Sequence, residues 1–366
     1  MLRYSMSALM ALILVLPLAS AQVSPFKNFS QFSGGVPGLD FFASSAQQVA
    51  PFEKPMLEAR KKLADLLGTE PPKGAVFICS TLEQKDAVYE PRAIKLGYSW
   101  VLLVLTAEAR QQEMMARMKA QMGGEIPPEV LERMRNRPAG GRGGEETGMA
   151  RVAIRQMAYA VVQAMFAPDK AFRVSRLEDM ARSPLADWVD IGIAGYVAGA
   201  PNVDFLQQRI EEAFPLDDIL GMSRPYVAPA EGGSSGGGGG LVIRMEGAPG
   251  GSAQSGAQPG SGGAGRGGPP RQLPKDVQDR MMFDAQASTF FTFLCERAGL
   301  QKARDLIQLS REGKETKPFI TRTDVLGADF DKIEADWVAW VKSQQPERPT
   351  EIRIRATPGE PPPPLR

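Results

Sequence analysis

Residues 154–163 read I-R-Q-M-A-Y-A-V-V-Q, and residues 187–199 read D-W-V-D-I-G-I-A-G-Y-V-A-G. The first stretch lies in a run from 149 to 166 where Ile154, Met157, Ala158, Val161 and Met165 recur at helical spacing. They form the apolar stripe of an amphipathic helix, with Arg151, Arg155, Gln156, Tyr159 and Gln163 on the other side. Pro168 and Asp169 end that helix. What these two stretches carry decides both the fold and the chemistry open to it.

Upstream, residues 54–67 have apolar positions at 56, 57, 63, 66 and 67, which predicts a helix that Gly68 stops. Residues 74–80, G-A-V-F-I-C-S, follow Pro71-Pro72 and read as a buried strand. Residues 99–106, S-W-V-L-L-V-L-T, read the same way, and both fit one sheet. Residues 22–50 show weak periodicity and predict an irregular lead-in. Residues 108–137 are charged and methionine-rich. Met114, Met118 and Met122 are spaced four apart and so share a helix face. That face suits either a flexible apolar stripe or a thioether copper site. The glycines of 138–148 predict a loop. Downstream, helices are expected over 277–298, 301–309 and 329–342, the last with Phe330, Ile333, Trp337, Trp340 and Val341 on one face. Residues 231–270 are Gly, Ser, Pro and Ala around a single L-V-I-R-M-E at 241–246, a composition that cannot offset its ordering entropy. The Pro-rich end from Gln345 predicts polyproline II or no fixed structure.

The chain of 366 residues contains no histidine. That removes every Ser-His-Asp and Cys-His scheme and every zinc site that uses imidazole. Cys79 and Cys295 cannot make a tetrahedral thiolate site alone, and they are expected either as a disulfide or as two buried thiols. With 43 Lys plus Arg against 42 Asp plus Glu, charge gives no reason to expect a nucleic-acid partner. Arg3, the apolar run 8–18 and Ala19-Ser20-Ala21 have the form of a signal peptide cleaved before Gln22. No later apolar run reaches membrane-spanning length, so an exported, periplasmic or extracellular protein is expected.

Three segments resemble the peptidase MA-like family of gluzincin zinc metallopeptidases. One is the 149–166 helix, at the place of the family's H-E-x-x-H. One is Pro184 to Gly199, which is similar to a pattern of Pro, Trp and then E-G-x-A-x-Y. The third is 287–340, with A-S-T-F-F-T-F-L-C-E-R-A-G-L-Q-K-A-R-D-L-I, then R-E-G-K, then V-L-G and D-W-V-A-W. The resemblance covers most of 55–342. It implies an α+β, gluzincin-like fold, in which a small N-terminal sheet packs on an active-site-type helix followed by a helical C-terminal subdomain. In that family two histidines of one helix and a glutamate of a second hold zinc, and a glutamate beside the first histidine serves as general base.

Laid on this sequence, the resemblance puts Arg155 at the first histidine, Gln156 at the general base, Tyr159 at the second histidine and Ile191 at the third ligand. A protonated guanidinium has no lone pair to give a metal, an amide takes no proton at useful pH, and Ile191 has no donor atom. Trp188, Gly192, Ala194 and Tyr196 keep the pattern of the second helix. The implied protein is a pseudopeptidase with no metal and no cofactor, binding peptides or envelope proteins. An unpaired buried arginine is costly, so Arg155 is expected to meet a carboxylate such as Asp190 or Glu178. The rival expectations are an active hydrolase built on Asp190, Glu178 or Asp179, a methionine copper protein, and a purely structural envelope protein. The expected layout is a signal peptide at 1–21, a lead-in at 22–53, and a first part at 54–230. A Gly/Ser/Pro-rich insertion follows at 231–272, then a helical part at 273–344 and a tail at 345–366.

Overall fold

The structure is a computed structural model that describes residues 24–33, 38–88, 90–121, 124, 142–168, 183–199, 202–225 and 274–344. It is a mixed α+β protein with one small sheet and mostly helical content. The strands β1 (Ser30–Ser33), β2 (Leu39–Ala43), β3 (Gly74–Cys79) and β4 (Trp100–Leu105) lie in sequence order. β1 runs antiparallel to β2, while β2, β3 and β4 are parallel.

Parallel neighbours need crossovers. Helix α1 (Ala46–Leu67) joins β2 to β3, and the short α2 (Leu82–Ala87) and α3 (Glu90–Lys95) join β3 to β4. The sheet is covered on both faces, which is why β3 and β4 read as unbroken apolar runs. Phe41, Val76, Ile78, Leu102 and Val104 enter the main core. Phe42, Ala75, Phe77, Cys79 and Val101 form a second core with Phe26, Phe29 and Tyr98, and the Phe42 and Phe77 rings stack there at 4.6 Å.

After β4 come α4 (Ala107–Gln121), α5 (Arg142–Phe166), α6 (Asp187–Ala198), α7 (Val203–Gln208) and α8 (Leu216–Gly221). The last set is α9 (Lys275–Ala298), α10 (Leu300–Arg311), α11 (Lys317–Ile320) and α12 (Phe330–Ser343). α5 packs on β4 and α1, α6 packs on α5, and α9 packs on α6. Among the described residues no helix is long and apolar enough to cross a membrane.

Several expectations change. Residues 22–53 are not irregular throughout, since they hold β1, β2 and the start of α1. β1 is only four residues long and β2 five, too short to show a period. Pro51 hides the first turns of α1, yet Pro51 and Pro55 both lie inside the helix, four apart. Their missing N–H groups therefore fall on one side of it. The helix expected from 149 begins at Arg142 and runs through glycines read as loop. On its polar side Tyr159 and Gln163 are buried, while Arg151, Arg155 and Gln156 are half-buried. Cys79 and Cys295 are both free and buried, each in a different core cluster, and burial lifts each thiol to about 12. On α4, Met114 is exposed rather than part of a core stripe. Met122, Glu178, Asp179, the 1–21, 231–272 and 345–366 segments and L-V-I-R-M-E all lie outside the described residues.

The closest approach of α6 to α9 is made by glycines. A Cβ on Gly192 would stand 2.5 Å from Phe291 Cβ, and one on Gly195 2.3 Å from Ser288 Cβ and Oγ and 3.0 Å from Ser288 Cα. Gly195→Ala must push the two helices apart. It is expected to cost about 1–3 kcal/mol in urea unfolding, although alanine is the better helix former by about 1 kcal/mol. Adding Ser288→Gly should return part of that loss, whereas a stabilised Gly195→Ala would mean the helices are not in tight contact there.

Candidate functional site

The site grows from α5, α6 and α9, joined by the segment just after α8. Tyr159 points from α5 into this junction and is 3 % exposed. Burial and the nearby Asp284 carboxylate hold its hydroxyl protonated, well above the ordinary phenol range; Arg224 and Arg155 oppose the shift and Asp190 adds to it. A phenol held neutral in this way is a poor metal ligand.

The organising group is Arg224. Its Nε donates to Asp284 Oδ1 at 2.8 Å and its Nη2 to Asp284 Oδ2, a two-pronged clamp from the segment after α8 to α9. Its backbone N–H donates to Asp187 Oδ2 at 2.7 Å, tying the same segment to the first turn of α6. The Arg224 side chain is 8 % exposed and that of Asp284 18 %. Burial alone would lower the guanidinium's affinity for its proton, but the charge and hydrogen bonds of Asp284 outweigh this and raise it. Burial raises the Asp187 carboxyl above the usual range, with the Arg224 N–H working against the shift.

Asp190 lies one turn after Asp187 and is 1 % exposed. Neither of its oxygens completes a hydrogen bond. Desolvation pushes its carboxyl up to about 7; Ser183 stands close enough to favour the ionised form, through hydroxyl and backbone, without reaching bonding geometry. Asp187 reinforces the shift and Arg224 opposes it.

Among the described residues Arg155 meets no carboxylate; Glu178 lies outside them. Its Nη2 donates to Ser288 Oγ at 3.3 Å, and Ser288 in turn donates to the Asp284 carbonyl at 2.6 Å, while Arg155 Nε is buried without a partner. The expected pairing with Asp190 is therefore not formed. A hydroxyl from α9 meets Arg155, and the ion pair of the site belongs to Arg224. Gln156 is half-buried. Ile191 is 1 % exposed and packs in the core, so the charge that reaches Tyr159 from α6 is that of Asp190, one residue earlier. Trp188, Gly192 and Ala194 are buried, and Tyr196 is half-buried against Phe291 with ring centroids 6.4 Å apart.

The sequence reading missed Arg224, Asp284, Asp187 and Ser288. A signal for Asp284 was present. It is a lone acid in M-M-F-D-A-Q-A-S-T-F-F, on a helix whose neighbours are apolar or small, and an acid so placed needs a partner. Nothing local marks Arg224 as that partner, 60 residues away.

The donor set does not fit zinc. Arg155 brings positive charge, Tyr159 is held as a phenol and Ile191 offers nothing. Among the described residues, no group of three or more His, Cys, Asp or Glu side chains is placed to hold a metal ion. Compared with protein-family models, with curated proteins and with solved structures, the chain matches none.

Proposed function

We propose that the chain is an exported, metal-free relative of the gluzincin peptidases that serves as a binding module for peptides or envelope proteins. The observation that carries this reading is the Arg224 guanidinium. It lies beside Tyr159, clamped by Asp284, while the Arg224 backbone N–H donates to Asp187, in the junction of the two helices that the resemblance assigns to the metal. A fixed organic cation there neutralises the carboxylates that a divalent ion would otherwise serve. The packing of α5 on the sheet beside α1, with α6 across it, suits the gluzincin-like arrangement. A scaffold that keeps its aromatic and glycine contacts while its reactive positions hold Arg155, Gln156, Tyr159 and Ile191 is better suited to holding a chain than to cutting one.

Elemental analysis of residues 22–366 tests this, on protein purified without a histidine tag, since a tag would add the sample's only histidines. Transition metal well below stoichiometry, with no peptide hydrolysis before or after added zinc, is the expected result. Near-stoichiometric zinc with chelator-sensitive cleavage would overturn it and return attention to the carboxylates of α6 and the residues before it. Stoichiometric copper would also overturn it, in favour of the methionine helix.

A further inference from the structure

We infer that Asp190 is the proton-binding centre of a latch that joins α6 to the segment carrying Arg224. The inference stands on geometry and is independent of what the protein binds. Asp190 is fully buried and neither oxygen completes a hydrogen bond, the Ser183 hydroxyl and N–H standing near it but short of bonding geometry. The groups facing it are Asp187 on its own helix, Tyr159 from α5, Ser183 from the chain entering α6, and Arg224, which brings Asp284 of α9 with it. The guanidinium is already committed to Asp284 and the Arg224 N–H to Asp187. A neutral Asp190 fits this arrangement. An ionised Asp190 places a further buried negative charge one turn from Asp187. It must then draw Arg224 from Asp284 or admit water to the junction, and either loosens the anchor at residues 222–225.

The value of about 7 for this carboxyl places the change near neutrality. The absence of histidine removes the side chain that ordinarily titrates between about pH 5 and 8, and Asp187 is a second carboxyl of this junction that burial lifts. The sign follows from the shift. Asp190 holds its proton more tightly folded than unfolded, so the folded state is favoured at low pH. Stability falls as pH rises from the unfolded carboxyl range to the folded value, and levels off above it.

The test is urea unfolding of the full chain across about pH 5 to 8. The unfolding equilibrium constant of the wild type is expected to grow by about a hundredfold over that span, and that of Asp190→Asn to stay nearly flat. Over the same range the protection of the Arg224 amide against hydrogen exchange, corrected for intrinsic rates, should fall in the wild type and hold in the variant. Equal pH dependence in the two proteins, or constant Arg224 protection in the wild type, overturns the latch. If Asp190→Asn does not fold, infrared titration of the wild type decides. A protonated carboxyl band that vanishes only near neutrality supports the inference, and its absence above about pH 5 overturns it.

Discussion

Asp284→Asn is expected to cost about 3–5 kcal/mol of stability, because it removes the carboxylate that holds a buried guanidinium through two charge-assisted hydrogen bonds. The substitution keeps the shape of the side chain and removes only the charge and one strong acceptor. Arg224 is 8 % exposed at its side chain, so solvent offers little compensation. Tyr159 is neutral and Arg155 carries the same sign; the Asp187 charge favours the guanidinium, but its hydrogen bond is to the Arg224 backbone. Replacing both partners, as Arg224→Met with Asp284→Leu, should recover most of the loss, since a packed apolar pair escapes the desolvation that an ion pair must overcome. A double-mutant cycle in urea separates the two possibilities. If Asp284→Asn costs less than about 1 kcal/mol, the pair behaves as an exposed one, and the case for a fixed cation at the centre of the site collapses with it.

That ion pair also shows where the sequence stopped being informative. The buried strands β3 and β4 were legible because each is a continuous apolar run, bounded by Pro71-Pro72 and by Gly97 or Thr106. α1, α5, α9, α10 and α12 were legible from their period, each with an early or late boundary. The start of α1 was lost to Pro51, and the start of α5 to its glycines. Short strands in a sheet covered on both faces leave no alternation to read, and so β1 and β2 were missed. The site was legible only as a set of candidate positions. Arg155 and Tyr159 are one turn apart on one helix, a local fact, and both did reach the junction with α6 and α9. Which carboxylate meets which arginine depends on how α9 lies against α6 and where the chain after α8 returns. Those are tertiary facts. Arg155 and Asp190 are charged residues 35 positions apart on packed helices, and sequence gave no way to see that Ser288 and Arg224 would intervene.

Trp188→Ala is expected to cost about 3–5 kcal/mol. Trp188 is fully buried on the face of α6 that meets α9, with its ring centroid 5.7 Å from that of Phe290 and 6.3 Å from that of Phe291. Its Nε1 donates to Thr316 Oγ1 at 3.3 Å, which ties α6 to the turn before α11. Truncation opens a cavity walled by phenylalanines that cannot collapse inward, because Gly192 already lets Phe291 lie against the α6 backbone. Trp188→Phe separates packing from polarity. It fills most of the space but strands the Thr316 hydroxyl, which is 4 % exposed at the residue level, and its cost should fall to about 1–3 kcal/mol. Thr316→Val in that background should restore part of it. The order of the three variants carries the argument. Trp188 sits two residues before Asp190 on the same helix, so a loosened α6 also admits water to the Asp190 carboxyl. Trp188→Phe should therefore keep a steep pH dependence of stability between about pH 5 and 8. Any Trp188→Ala protein that still folds should show a flatter one. If the two variants have the same pH slope, the burial of Asp190 does not depend on the aromatic packing of α6 against α9.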